Sequence, residues 1–224
     1  MNRAVAVLRP EPGNARTAAL IAARGGRAIR LPLFAVAATT WTPPDPAGFD
    51  ALVATSANAF RHGGDGLARL RTLPVWAVGR ATAYAAADAG FAVEVIGARG
   101  VESLVAAMPA GRRLLHLAGR ERIAIPDAVA ITVYAAEPLP VAPDALAALA
   151  GGVALLHSAR AGARLAALVD RRGDIELIAI SGAVAAAAGG GWASVTVAAR
   201  PDDATLVALA LGAARNGNTG RPRE

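Results

Sequence analysis

The sequence has 224 residues, a net charge of +6 and no cysteine, and 54% of its residues are hydrophobic. Its length allows one large domain or two small ones, each able to bury a core. The missing cysteine excludes a disulfide framework and thiolate metal sites, and the lack of a basic run argues against a nucleic-acid-binding arm. All 23 basic residues are arginine, which indicates compositional bias, and the mild positive charge suits an anionic small molecule.

Short apolar runs rich in Val, Ile and Leu alternate along the chain with Ala-rich segments of helical spacing. The runs predict strands over 4–8, 27–31, 51–55, 75–79, 92–96, 113–117, 130–135, 153–158, 176–181 and 195–199. The Ala-rich segments predict helices over 14–23, 57–70, 81–89, 102–107, 159–171, 183–188 and 203–213. Continuous apolar runs are typical of parallel strands covered on both faces, so this alternation predicts an α/β fold.

One stretch, 177–199, lacks charge and is long enough to cross a bilayer. It consists largely of Ala, Gly, Ser and Thr and contains three consecutive glycines, so a strand, a turn, a helix and a second strand explain it better. We therefore expect no membrane span.

A domain-sized internal repeat links the two halves of the chain. An offset of 102 residues aligns Ser56 with Ser158, "WAVGRAT" (76–82) with "IAISGAV" (178–184), and "SLVA" (103–106) with "TLVA" (205–208). Three matches at one offset predict two similar α/β halves rather than a solenoid.

Two Pro-rich stretches, 31–50 and 133–144, precede the two copies of the repeat and begin as extended chain. They predict connections that cross between two lobes. The C-terminal residues 216–224 lack apolar periodicity, so we expect a disordered tail.

Small polar residues follow the strands of both halves. In parallel α/β sheets ligands lie beyond the carboxyl ends of the strands, where helix N-termini offer unpaired N–H groups to anions. Ser56 and Ser158, each taken singly, are better explained as helix caps than as ligand-binding residues. Their pairing at one offset favours a shared site, in which both halves face a ligand that carries several carboxylates or phosphates.

Other catalytic patterns are missing from the sequence. His62, His116 and His157 have no metal-ligand spacing and are interpreted as ordinary structural residues. The chain has no Gly-x-Ser-x-Gly elbow, no phosphate loop and no dinucleotide fingerprint after the first strand, which disfavours a nucleoside-type Rossmann enzyme.

The order and spacing of several motifs resemble the uroporphyrinogen-III synthase family over roughly residues 3–210. These motifs are "VLRPEPGNARTAALIAARGG", "LPLFAV", "FDALVATSANAF", "VWAVGRATAYAAADAGF", "GVESLVAAM", "RRLLHLAGR" and "ITVYAAEPL". "TSANA" followed by "AVG-x-x-T" is the most specific part.

The resemblance implies two flavodoxin-like α/β lobes, with parallel sheets, joined by a two-stranded connection. One discontinuous lobe would comprise 1–34 and 138–224, and the other 38–132. It further implies a cytoplasmic, cofactor-free and metal-free hydro-lyase, expected to be a monomer, that closes hydroxymethylbilane into uroporphyrinogen III. This substrate is a linear tetrapyrrole with eight carboxylates, whose last ring is inverted as water is lost; no nucleic-acid or membrane partner is expected.

The resemblance also assigns candidate site residues. Tyr134 and Thr82 match the positions expected to be catalytic, with Tyr134 aiding departure of hydroxide. The expected substrate-binding residues are Arg9, Thr55, Ser56, Ala57, Asn58, Gly79, Arg80, Ser158, Ala159, Arg160, Ser181 and Gly182. A packing role at a lobe junction explains Tyr134 equally well.

Two departures from the family pattern stand out. Ser181-Gly182-Ala183-Val184 occupies the place of a common Gly-Pro-Thr-Thr, and the segment between "AGR" and Tyr134 is short enough to predict a missing helix. The lost hydroxyls keep an alternative open, namely a non-enzymatic two-lobed protein that binds an anionic small molecule.

Overall fold

The computed structural model describes residues 2–97, 101–106 and 111–216 of the chain. Its strands are β1 (Val5–Val7), β2 (Ala28–Arg30), β3 (Phe34–Ala38), β4 (Ala51–Ala54), β5 (Val75–Val78), β6 (Val93–Gly97), β7 (Leu114–Gly119), β8 (Ala128–Pro138), β9 (Val153–Leu156), β10 (Glu176–Ala179) and β11 (Ser194–Val197). Its α-helices are α1 (Gly13–Ala23), α2 (Asn58–His62), α3 (Arg80–Asp88), α4 (Val101–Ala106), α5 (Pro143–Ala147), α6 (Ala159–Leu168), α7 (Gly182–Ala188) and α8 (Asp203–Asn216). Of the predicted tail, Asn216 ends α8 and 217–224 lie outside the described residues.

The chain forms two compact units. Unit 1 comprises Met1–Ala35 and Pro138–Glu224, and unit 2 comprises Val36–Glu137. The predicted α/β class with parallel sheets is confirmed, because each unit is built on its own parallel or largely parallel sheet.

Unit 1 is a five-stranded parallel sheet in the order β11-β10-β9-β1-β2. On one face, α1 and α8 pack Ile21, Leu206 and Val207 against Val7 and Leu155 of the sheet. The helices α6 and α7 pack closely on each other. A Cβ at Gly162 of α6 would lie only 3.1 Å from the carbonyl oxygen of Val184 in α7, so this close approach favours glycine.

Unit 2 has six strands in the order β3-β8-β7-β4-β5-β6, of which β4 to β8 are parallel. Phe60, Phe91 and Leu115 belong to the larger apolar cluster of this unit. A smaller cluster contains Trp76 and Ile125. Both faces of the sheet are therefore covered, as the unbroken apolar runs predicted.

The two sheets share one strand order. When β9, β10 and β11 are matched with β4, β5 and β6, strands β1 and β2 fall in the places of β7 and β8. The units are thus circular permutants, and counted from its own N-terminus unit 1 has the flavodoxin order 2-1-3-4-5. The offset of 102 residues relates β4, β5 and β6 to β9, β10 and β11, because these three strands follow one another in the same order in both units.

Three local features differ from the sequence prediction. The predicted helix 57–70 ends at His62 and continues as a 3₁₀ helix over Gly64–Leu70, because Gly64 has a φ of 62° and the indole of Trp41 donates to the Gly63 carbonyl at 2.9 Å. The short helix α5 was missed. The strand β3 lies inside the stretch predicted as a connection.

The loop 120–127 joins two parallel neighbours, β7 and β8, without a helix. Such a crossover normally takes a dozen or more residues and carries a helix. Here Ile125 packs into the cluster of Val53 and Leu114 and covers part of the sheet face instead. The helix predicted to be missing from this segment is indeed not formed.

Candidate active site

The first junction follows β4 in unit 2. Thr55, Ser56 and Asn58 are half-buried there, and Ala57 is buried. The Asn58 N–H donates to Ser56 Oγ at 3.2 Å, while Ala57 has helical backbone angles and is the N-cap residue of α2. Ser56 therefore closes a local turn rather than forming the usual N-cap predicted from its position.

The second junction of unit 2 follows β5. Gly79 has a φ of 80°, donates its N–H to the Gly97 carbonyl at 2.8 Å, and accepts at 3.2 Å from the N–H of Thr82 at the start of α3. This positive φ favours glycine. Arg80 is exposed and donates to Tyr84 Oη at 2.9 Å, whereas Thr82 is only 4% exposed.

Tyr134 lies on β8, beside the end of β7. The register of these strands shifts at Gly119, which pairs with Tyr134, and a Cβ on Gly119 would lie 2.7 Å from Tyr134 Cε2. The ring of Tyr134 therefore packs directly on the Gly119 backbone, and its centre is 6.4 Å from that of His62. This half-buried position leaves part of the phenol accessible.

Unit 1 carries the corresponding junctions after β9 and β10. Ser158 Oγ accepts from the Ala161 N–H at 3.2 Å and caps α6, and Ser181 Oγ accepts from the Val184 N–H at 3.4 Å and caps α7. Ala159, Arg160 and Gly182 are exposed. The Arg160 guanidinium carbon lies 4.6 Å from the centre of the Phe34 ring.

Arg9 follows β1 and is engaged within unit 1. Its Nη1 donates to both carboxylate oxygens of Asp203 at 2.9 Å. Asp203 also accepts from Thr17 Oγ1 at 3.1 Å and from His157 Nε2 at 2.9 Å. The hydrogen bond from His157, with the charge of Arg9, lowers the pKa of the Asp203 carboxyl to about 2.

Sequence reasoning missed three members of this cluster: Thr17, His157 and Asp203. His157 had been interpreted as an ordinary structural residue, yet it directly precedes Ser158 at the carboxyl end of β9, the place where polar residues collect in parallel sheets. Since the Asp203 carboxylate can only accept, the Nε2 of His157 carries the proton in this contact.

Comparison with known proteins decides the family. The family model for uroporphyrinogen-III synthase HemD matches residues 15–208. The chain belongs to the uroporphyrinogen-III synthase family. No curated protein matches the sequence.

Solved structures of uroporphyrinogen-III synthases share the fold. The enzyme from Helicobacter pylori is 18% identical, with a TM-score of 0.69 over 95% of this chain and 100% of its own. A mutant uroporphyrinogen III synthase from the extremely thermophilic bacterium Thermus thermophilus is 17% identical, with a TM-score of 0.56 over 96% of this chain and 99% of its own. At this identity the likeness concerns the fold.

The second half departs from the uroporphyrinogen-III synthase pattern at Ala183 and Val184. Val184 is buried, and its carbonyl oxygen would lie 3.1 Å from a Cβ added at Gly162, while Ala183 is exposed. Val184 is therefore part of the packed interior of unit 1, whereas Ala183 presents only a methyl group at the surface of α7.

Across residues 2–97, 101–106 and 111–216, no three His, Cys, Asp or Glu side chains gather closely enough to ligate a metal ion. Within the same ranges, no helix combines the length and apolar character needed to cross a membrane.

Proposed function

We propose that this protein acts as a uroporphyrinogen-III synthase, closing hydroxymethylbilane with inversion of ring D and loss of water. The observation that carries the proposal is the family match over residues 15–208. The strand-end residues of both units support it, because helix N-termini, hydroxyls and arginines suit a substrate that bears carboxylates.

The proposed chemistry asks little of the protein beyond placement. The electron-rich pyrrole assists loss of hydroxide from its own hydroxymethyl carbon, so the protein must fold the chain, exclude water and steer the attack. Tyr134 is the proposed donor of a proton to the departing hydroxide, which then leaves as water. Thr82, which is buried at the start of α3, is the second proposed catalytic residue.

The proposed ligand-binding groups divide between the units. In unit 2 they are Thr55, Ser56, Ala57, Asn58, Gly79 and Arg80, and in unit 1 they are Arg9, Ser158, Ala159, Arg160, Ser181 and Gly182. Arg9 is the least available of these, because its guanidinium is paired with Asp203 and its side chain is 27% exposed. We propose that Arg9 acts mainly by holding the end of β1 to α8.

We further propose that the enzyme works as a cytoplasmic monomer, without metal or organic cofactor, and binds neither nucleic acid nor membrane. The cysteine-free sequence, with its interspersed charges, supports this setting.

The activity test uses freshly made hydroxymethylbilane. We expect uroporphyrinogen III to exceed the isomer I that forms spontaneously, as measured by separating the oxidised isomers. Heat-denatured protein is the control. Isomer I alone would overturn the enzymatic proposal. Binding of the substrate without turnover would favour the alternative of a non-enzymatic binding protein, which the absence of a hydroxyl at Ala183 supports.

Gly119→Ala tests the placement of Tyr134. The added Cβ would lie 2.7 Å from Tyr134 Cε2 and 3.0 Å from its Oη, so the ring must shift while the backbone stays relaxed. We expect turnover to fall about tenfold to a hundredfold, as for a misplaced catalytic group, with little change in melting temperature. Gly48→Ala, where nothing lies within 4 Å of the new Cβ, is the matched control. Equal activity in both variants would argue against the proposed role of Tyr134.

A further inference from the structure

His116 is a buried imidazole that the proposed function does not use. It lies in the middle of β7, in register with Val53 of β4 and Ala130 of β8, and is 0% exposed. Its Nε2 is 3.4 Å from Oγ1 of Thr55, the residue that directly follows β4 and begins the first junction. The imidazole therefore contacts a hydroxyl that is proposed to bind the substrate.

The second ring nitrogen identifies the tautomer of His116. Nδ1 is buried and has no hydrogen-bond partner in the described part of the chain. Genuinely orphaned buried N–H groups are rarer than under-satisfied acceptors, so an unpaired lone pair is the cheaper state for Nδ1. The proton of the neutral ring is accordingly on Nε2, which donates to Thr55 Oγ1.

The surroundings keep this ring neutral. Burial, aided by the nearby positive charge of Arg122, lowers the pKa of His116 to about 4. The Arg122 side chain is fixed in place, since its Nη1 donates to Thr132 Oγ1 at 3.0 Å and to the Gly119 carbonyl at 3.4 Å. At neutral pH the imidazole is therefore uncharged and carries a single proton.

Thr55 receives its orientation from this contact. With one lone pair of Oγ1 taken by His116 and no acceptor on Nε2, the hydroxyl hydrogen cannot point back at the ring. We propose that His116 is a positioning residue that makes the Thr55 hydroxyl a hydrogen-bond donor toward an oxygen of the substrate. The inference rests on the proposed function, and it assigns Thr55 the role of hydrogen-bond donor to the substrate.

The variants separate this role from simple packing. His116→Gln keeps an N–H near the Nε2 position, whereas His116→Leu fills the space without a donor. We expect His116→Leu to lower kcat/KM about tenfold, the value of one lost hydrogen bond, and His116→Gln to restore most of it. The melting temperature of His116→Leu should not fall, because the change also removes an unpaired buried nitrogen.

A double-mutant cycle with Thr55→Val tests the coupling. Thr55→Ser retains the hydroxyl and is the matched control for Thr55→Val. If His116 acts through Thr55, the second substitution adds little to the loss caused by the first. Independent, multiplying losses, or full activity in His116→Leu, would overturn the proposal.

An NMR readout stands apart from activity. Two-dimensional ¹⁵N spectra of the imidazole should show His116 as a neutral ring protonated on Nε2 at pH 7. A proton on Nδ1 would overturn the inference even if the enzyme is active. If the wild-type protein forms no isomer III, the proposed function fails together with the substrate role of Thr55, and the spectra still decide the tautomer.

Discussion

Tyr134→Phe is expected to lower the rate of uroporphyrinogen III formation about a hundredfold, the lower end of the rate effect that a general acid typically contributes. Only Oη is removed, and the ring still packs on Gly119 and lies next to the ring of His62. The free energy of unfolding should therefore stay within about 0.5 kcal/mol of the wild-type value, as for a substitution that leaves packing intact. Single-turnover rates and thermal unfolding measure the two quantities.

The chain offers a matched control for this substitution. Its other tyrosine, Tyr84, is exposed on α3, and its Oη accepts a hydrogen bond from Arg80. Tyr84→Phe also removes one phenol hydroxyl from unit 2 and should leave the rate within about twofold, since exposed single contacts are worth little. Equal rates for wild type and Tyr134→Phe would make Tyr134 a packing residue.

Asp203→Ala is expected to destabilise the protein by roughly 2–4 kcal/mol, because removing the carboxylate leaves its hydrogen-bonding and charged partners unpaired. The substitution leaves the Arg9 charge without its carboxylate and the His157 Nε2–H without an acceptor. Differential scanning calorimetry should show the melting temperature falling by roughly 5–15 °C. Asp170→Ala, at an exposed position of unit 1, is the control and should change it little.

The effect of Asp203 depends on pH in a defined direction. Its pKa in the folded protein is lowered to about 2, so the carboxylate contributes its full stabilisation above pH 5, and that contribution is lost as pH falls from about 4 through 2. The stability difference between wild type and Asp203→Ala should thus shrink as the pH falls below about 4. A difference that grows on acidification would contradict this assignment.

Sequence alone predicted the elements whose burial is continuous. The apolar runs placed β1, β4 and β9 to within one or two residues, because parallel strands covered on both faces leave an unbroken signal. It failed where the signal is short or interrupted. The helix α5 has five residues and begins at Pro143, and Gly63 and Gly64 divide the segment predicted as one helix after β4.

The candidate site was predictable only in part. The helix cap expected at Ser158 from its position after a strand is observed, whereas the one expected at Ser56 is not, because α2 has Ala57 at its N-cap. The contact of His157 with Asp203 joins residues 46 positions apart, and no local sequence pattern predicts it. The orphaned Nδ1 of His116 depends on which atoms happen to surround it, a property of packing that spacing does not encode.

The circular permutation of the two sheets has a consequence for synthesis on the ribosome. Every strand of unit 2 after β3 pairs within one continuous stretch, whereas β1 must pair with β9, which begins 146 residues after Val7. At roughly 5–20 residues per second, that delay is on the order of 10 s. Unit 2 is thus complete first, while the apolar segment Val5–Val7 has left the ribosome with its neighbour β2 but without β9, its second partner. Until β9 is made, the edge of β1 that will pair with it remains open to pairing with another chain.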